Sequence, residues 1–233
     1  LLALTNKMPL RRIMKVTGLN AVTMYSKIDF LSSQPYKKVI RVYKAEGRNY
    51  SLLTTYHPNG QIWQYLEAQD MRASGLYQEW FPTGQLKIRA QVIGGTADVT
   101  LGAQSDWLFD EICEVWDEQG RLKAHIPYEK GALQGTTLQF YPNGHIEREV
   151  PYRQNLIEGE LLEYYPSSQL KGKTTYCKGL KQGESQGLRE GGEIAWSEHY
   201  ANDLLQRGSY FSPKGEIVST VEGGFGFQTF FED

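Results

Sequence analysis

Cysteine is nearly absent from this chain, with two residues, Cys113 and Cys177, in 233. Neither belongs to a Cys-x-x-Cys pair, so the spacing of a zinc ribbon or a dithiol redox site is missing. Two buried free thiols are the expectation. Histidine is scarce too: His57, His125, His145 and His199 are scattered, and none opens a His-Glu-x-x-His pattern. They read as surface or turn residues, and no metal site is expected. A charge surplus is also lacking. The formal net charge is -2, which gives no field to attract nucleic acid or an anionic membrane. Only Lys7, Arg11, Arg12 and Lys15 form a basic cluster. No apolar run approaches the roughly 20 residues of a membrane span, and the opening "LLAL" is too short for a signal-peptide core. The chain starts at Leu1 rather than methionine, which reads as a trimmed piece. A cytoplasmic location is favoured, with secretion left open.

Motifs that carry chemistry are equally thin. "GGTADVTLG" (Gly94 to Gly102) lacks the lysine of a phosphate loop. "EGGFGF" (Glu222 to Phe227) has no helix after it to receive an anion. Glu147 and Glu149 alternate with Arg148 as on a solvated strand face, not as a general acid and base. No catalytic residue, cofactor or metal ligand is assigned, and an enzyme is not expected.

What the chain does hold is glycine, 24 copies, and tyrosine, 15 copies, a pairing of turn and strand formers. They recur in register. The residue closing each Pro-Asn-Gly-like turn falls at Gly60, Gly84, Gly120, Gly144, Ser168, Gly192 and Gly215, at spacings of 24, 36, 24, 24, 24 and 23. The period is thus 24 with one insertion of 12. Counted from this marker, position +2 is always aliphatic (Ile62, Leu86, Leu122, Ile146, Leu170, Ile194, Ile217). Position -4 is always large and apolar (Tyr56, Trp80, Trp116, Phe140, Tyr164, Leu188, Phe211). Position +8 is tyrosine in four successive copies, Tyr128, Tyr152, Tyr176 and Tyr200. A second glycine stands at -9 in Gly75, Gly135, Gly159 and Gly183.

Between the turns the apolar positions step by two, which is strand periodicity. Each copy is therefore a β-hairpin, closed by Pro-Asn-Gly at one end and by a second turn around the other glycine. The expected fold is all-β: an elongated, single-layer, twisted antiparallel meander of about seven hairpins. Residues 1–35 are expected to cap it irregularly and residues 36–233 to form the array. A first, irregular hairpin is expected from Lys37–Lys44 and Asn49–His57, turning near Glu46-Gly47. "GGFGFQTFF" is expected to supply a last strand, Phe225 to Phe231, with an unprotected edge. The even step from +2 to +8 places the tyrosines on the face of the -4 and +2 columns.

The 24-residue unit, best seen in "GTTLQFYPNGHI" (Gly135 to Ile146) and "GELLEYYPSSQL" (Gly159 to Leu170), resembles the variant form of the MORN repeat. That resemblance implies a scaffolding or protein-binding module without catalytic residues. Some arrays of this kind are proposed to bind acidic phospholipids, and some similar bacterial proteins are labelled as antitoxin or immunity proteins. The chain is accordingly expected to bind a protein partner, as a scaffold or an immunity- or antitoxin-like binder. Membrane-surface binding and a targeting role in a larger enzyme are the alternatives. Nucleic acid is not expected, and oligomers through the sheet ends are left open. Candidate contact residues are the row Tyr128, Tyr152, Tyr176 and Tyr200, since a single layer leaves such rings uncovered. The insertion, residues 96–107, is expected to be a solvated loop. Its alternative reading is a recognition loop anchored by Trp107 next to Asp106.

Overall fold

The computed structural model describes residues 2–4, 38–43 and 50–231. The chain divides into two compact units, Leu1–Arg121 with Tyr128–Ala132, and Leu122–Pro127 with Leu133–Asp233. In unit 1, strands β1 (Leu2–Leu4), β2 (Lys38–Tyr43), β3 (Ser51–Tyr56), β4 (Ile62–Gln69), β5 (Arg72–Trp80), β6 (Leu86–Gly94) and β7 (Leu108–Trp116) each pair antiparallel with the next. One helical turn, α1 (Leu101–Gln104), lies between β6 and β7 and is the only helix among the described residues.

Strands β8 (Leu122–Glu129) and β9 (Ala132–Leu133) each straddle the division between the units. Unit 2 continues with β10 (Gly135–Phe140), β11 (Ile146–Arg153), β12 (Leu156–Ile157), β13 (Gly159–Tyr164) and β14 (Leu170–Cys177). It ends with β15 (Leu180–Leu188), β16 (Ile194–Ala201), β17 (Leu204–Phe211), β18 (Ile217–Glu222) and β19 (Phe225–Gly226). The pairings are again antiparallel: β8 with β10, β10 with β11, β11 with both β12 and β13, and each strand from β13 to β19 with the next. The all-β hairpin meander is therefore observed.

The irregular first hairpin is present, in register from Lys38↔Tyr56 to Tyr43↔Ser51. Its turn at Glu46-Gly47 lies outside the described residues. So does the expected cap, apart from β1, which pairs with β2. At the other end the expected long strand is cut short. Only Phe225 and Gly226 pair with β18, and the chain then leaves the sheet.

The marker turns follow from backbone chemistry. In Tyr141-Pro142-Asn143-Gly144, the Gly144 amide donates to the Tyr141 carbonyl at 2.9 Å, and the Tyr141 amide donates to the His145 carbonyl at 2.9 Å. Only the marker residue takes positive φ, from 70° at Ser168 to 93° at Gly192. This is a type I turn closed by a left-handed residue, not a turn with two left-handed residues. Asn143 does other work. Its Oδ1 accepts the His145 amide at 3.0 Å, and its Nδ2 donates to the Pro166 carbonyl of the next turn at 2.9 Å.

The second turns are two-residue turns with both residues left-handed where side chains occur, as at Gln154-Asn155 and Asn202-Asp203. The -9 glycine lies beyond that turn, at the start of the next hairpin, where Gly135, Gly159 and Gly183 keep φ of 103°, 114° and 86°. Glu111, which replaces it in the copy with the insertion, adopts φ 61° in its place.

The hairpins closed at Gly60, Gly84, Gly144, Ser168, Gly192 and Gly215 each carry a register shift one step before the turn, as between Gln139 and Phe140. Gln139 pairs with Arg148 and Phe140 with Ile146, so Glu147 is the extra residue of a bulge. The bulge breaks the even count. Position +2 shares a face with -4, but +4, +6 and +8 fall on the opposite face, with -5, -7 and -9. Burial follows the bulge, with Leu53, Thr55, Gln64, Leu66 and Ala68 all buried, whereas Ile62 is exposed. The tyrosine row therefore lies opposite the -4 and +2 columns, correcting the expectation.

Candidate interaction faces

The face bearing -7, -5, +4, +6 and +8, the inner face, is the one that each unit covers. In unit 1 the cover is the insertion. Ala97, Val99 and Trp107 are buried and join Leu53, Leu66, Tyr77 and Val92, and Ala103 is buried as well. Trp107 is 6% exposed, with its ring 4.8 Å from Tyr77 and 6.2 Å from Phe109 in edge-on contacts. Its indole N–H donates to the Thr96 carbonyl at 2.8 Å. Asp106 closes the loop on itself, accepting the Thr96 amide at 2.9 Å and the Thr96 hydroxyl at 2.7 Å. Those two bonds hold its carboxyl below the usual aspartate range.

The insertion is thus not a solvated loop, and Trp107 anchors it to the core. A sheet face this apolar recruits the nearest apolar segment, and Trp107 points into the core while Leu101 remains outside. Burial also pushes the Cys113 thiol up to about 11, with Glu114 adding to the effect. Cys113 is buried and free as expected, whereas Cys177 is free and exposed.

The tyrosine row is not an uncovered ladder. Tyr152, Tyr176 and Tyr200 stand directly across from Gly135, Gly159 and Gly183 of the same hairpins, where a Cβ on Gly135 or Gly159 would meet Pro127 or Pro151 rather than a tyrosine ring. Tyr128, in unit 1, packs 5.3 Å from Phe109. Tyr128, Tyr152 and Tyr176 are half-buried, and Tyr200 is 8% exposed beneath the Lys181 ammonium, 4.7 Å away. The Tyr200 hydroxyl donates to Glu198 Oε2 at 2.8 Å, and the Tyr210 hydroxyl to Glu198 Oε1 at 2.5 Å. Burial, then these bonds, raise both phenol pKa values.

Unit 2 has no insertion. The segment after β19 lies on its inner face instead. Gln228 Nε2 donates to Glu198 Oε1 at 2.8 Å, and the Ser219 hydroxyl bonds the Thr229 hydroxyl at 2.8 Å. Phe230 meets Tyr210 edge-on at 5.6 Å, and the Arg189 guanidinium stands 5.8 Å over the Phe231 ring. The fit is loose, with Phe230 62% and Phe231 42% exposed. A cavity of about 170 Å³ remains between these rings and Tyr165, Lys171, Arg189 and Trp196.

Two columns that sequence reasoning passed over hold successive copies together. Position -3 reaches the -4 carbonyl of the next copy: His57 Nε2 to Trp80 at 2.8 Å, Tyr141 Oη to Tyr164 at 2.8 Å, Tyr165 Oη to Leu188 at 2.9 Å and Arg189 Nη2 to Phe211 at 2.7 Å. Position -10 accepts the amide of the next second turn, as Asp110 does from Lys130, Gln134 from Gln154, Glu158 from Lys178 and Gln182 from Asn202. The recurring amide or carboxylate at -10 was visible in the aligned copies. The -3 column was not, because its residue types differ.

Among the described residues, no three histidine, cysteine or acidic side chains converge for a metal, and no helix is long and apolar enough to cross a membrane. The basic cluster Lys7 to Lys15 lies outside the described residues. Two successive units, residues 133–154 and 157–178, match the MORN repeat variant. No curated protein matches the chain.

Proposed function

The chain carries tandem repeats of the MORN variant type, and from that premise we propose that it is a non-enzymatic module whose repeat faces hold a protein partner. One observation carries the reading. The columns that build the frame repeat, the +8 tyrosines and -9 glycines among them, while the inner-face columns -5 and +4 change from copy to copy. Position +4 reads Arg148, Gly172, Trp196 and Ser219 across unit 2, and -5 reads Gln139, Glu163, Gly187 and Tyr210. Constant turns under a varied face are what a recognition surface requires, since specificity needs distinct groups at fixed spacing. A role as a scaffold or as an immunity- or antitoxin-like binder fits this chemistry.

A photo-crosslinking amino acid at Tyr152, Tyr176 or Trp196, compared with outer-face positions such as Leu162, tests it in the source cells. A recurrent protein adduct from the inner-face sites is expected. No protein adduct from either face counts against the reading.

A further inference from the structure

We propose that the inner face of unit 2 is a binding site for an extended peptide carrying adjacent aromatic residues followed by acidic ones, and that the chain's own Gln228–Phe231 segment occupies it as a displaceable strap. This rests on the protein-interaction reading and names the partner's chemistry.

Three observations converge. The first is the floor. Gly172 and Gly187 are cross-strand partners on β14 and β15, and both are buried. Glycine inside a strand marks close approach by another group. Trp196, the partner of Gly187 on β16, lies over it: a Cβ on Gly187 would stand 2.2 Å from the indole nitrogen. The indole thus covers Gly187 and forms an aromatic wall beside Gly172, where the nearest side-chain atom to an added Cβ would be 4.0 Å away. The second is the rim. Lys171 stands 5.5 Å over the Tyr165 ring, and Arg189 stands over Phe231. Two cations beside aromatic faces suit a peptide with both rings and carboxylates. The strap has that chemistry itself, since Phe230-Phe231 is followed in the sequence by Glu232-Asp233.

The third is the poor fit of the strap. Residues 227–231 add no strand to the sheet. Their ties are Gln228 to Glu198, Thr229 to Ser219 and the Phe227 amide to the Thr220 carbonyl at 3.2 Å. Phe230 and Phe231 keep much of their surface in water, and the side chains beneath them leave a cavity of about 170 Å³. Segments with few buried contacts open at low free energy. A peptide that seats its rings against the Trp196 wall gains the dispersion contacts that the strap forgoes. The strap then acts as an intramolecular competitor and lowers apparent affinity by the fraction of time the site is closed.

The test uses a fluorescent peptide of residues 225–233, FGFQTFFED, titrated onto the whole chain and onto the Phe230→Ala/Phe231→Ala variant. Both substitutions fall on exposed rings, so the variant is expected to fold. The expected result is binding about fivefold tighter to the variant, the gain of a site freed from a strap that is closed about four-fifths of the time. Lys171→Glu in the same background should weaken it several-fold, and a peptide with Gln and Asn in place of the two acidic residues should not feel that change. Trp196→Ala should abolish binding while the strands still melt cooperatively. A gain below threefold, or binding indifferent to both Lys171→Glu and Trp196→Ala, overturns the proposal. A stable dimer formed by exchanged straps also overturns it, by making a second copy the occupant. Protein adducts at other faces combined with a failed titration would leave the interaction module standing and remove only this site.

Discussion

Residues 96–107 fill the inner face of unit 1 with four buried apolar side chains, whereas residues 227–231 lie on the inner face of unit 2 with their phenylalanines largely in solvent. Both segments depart from the 24-residue period, and both lie on the face that the bulged hairpins turn inward. The difference is in how they are held. The insertion is tied at both ends by β6 and β7, so closing it costs little chain entropy. Its tryptophan fits a pocket between Tyr77 and Phe109. Among the described residues, the segment after β19 reaches the face through three hydrogen bonds and two ring contacts. One cover has become core. The other still covers a surface that remains able to receive something else.

Substitutions should break this contrast in a definite order. Trp107→Ala should destabilise unit 1 by about 3–5 kcal/mol, the cost of an unfilled core tryptophan, read from urea unfolding. The staple between copies comes next. Tyr141→Phe removes the bond to the Tyr164 carbonyl and should cost about 1 kcal/mol in unit 2. Phe230→Ala with Phe231→Ala should move the unfolding midpoint least among these, by no more than about 1 kcal/mol, because both rings keep much of their surface in water. A loss as large as that of Trp107→Ala would show that the two covers are alike.

A smaller, local effect concerns pH. The Thr96 amide and hydroxyl hold the Asp106 carboxyl below its ordinary range. Its contribution to loop closure is therefore complete above the unfolded aspartate pKa, about 3.9. It fades as pH falls through the lower folded value. Exchange protection of the Thr96 amide should drop in that acid window, and Asp106→Asn should remove the pH dependence. Protection that is flat down to pH 2 in the native protein would disprove the assignment of the bond.

Much of the frame was legible in the residues. The marker glycines, the apolar -4 and +2 columns and the tyrosines at +8 fixed the period, the hairpins and the turn ends, because turn geometry and strand alternation are local. What failed was everything that depended on one bulge. An extra residue such as Glu147 reverses which face +4 to +8 present, and the turn motif alone does not announce it. The tyrosine row was therefore real as a column and misplaced as a surface. The insertion was misread for a different reason. "TADVTLGAQSDW" is about as rich in apolar residues as the chain as a whole, yet Ala97, Val99, Ala103 and Trp107 are all buried. That arrangement is set by the face beneath, not by the loop's own sequence. The role of Gln228–Phe231 was hidden in the same way, behind what looked like a last strand.

The contrast between the two covers is tested most directly by hydrogen–deuterium exchange of the whole chain, followed by mass spectrometry. The account predicts that amides in residues 97–107 exchange as slowly as those of β6 and β7, while those of residues 227–231 exchange orders of magnitude faster than β16 and β17 beneath them. Equal, strand-like protection of both segments would contradict it.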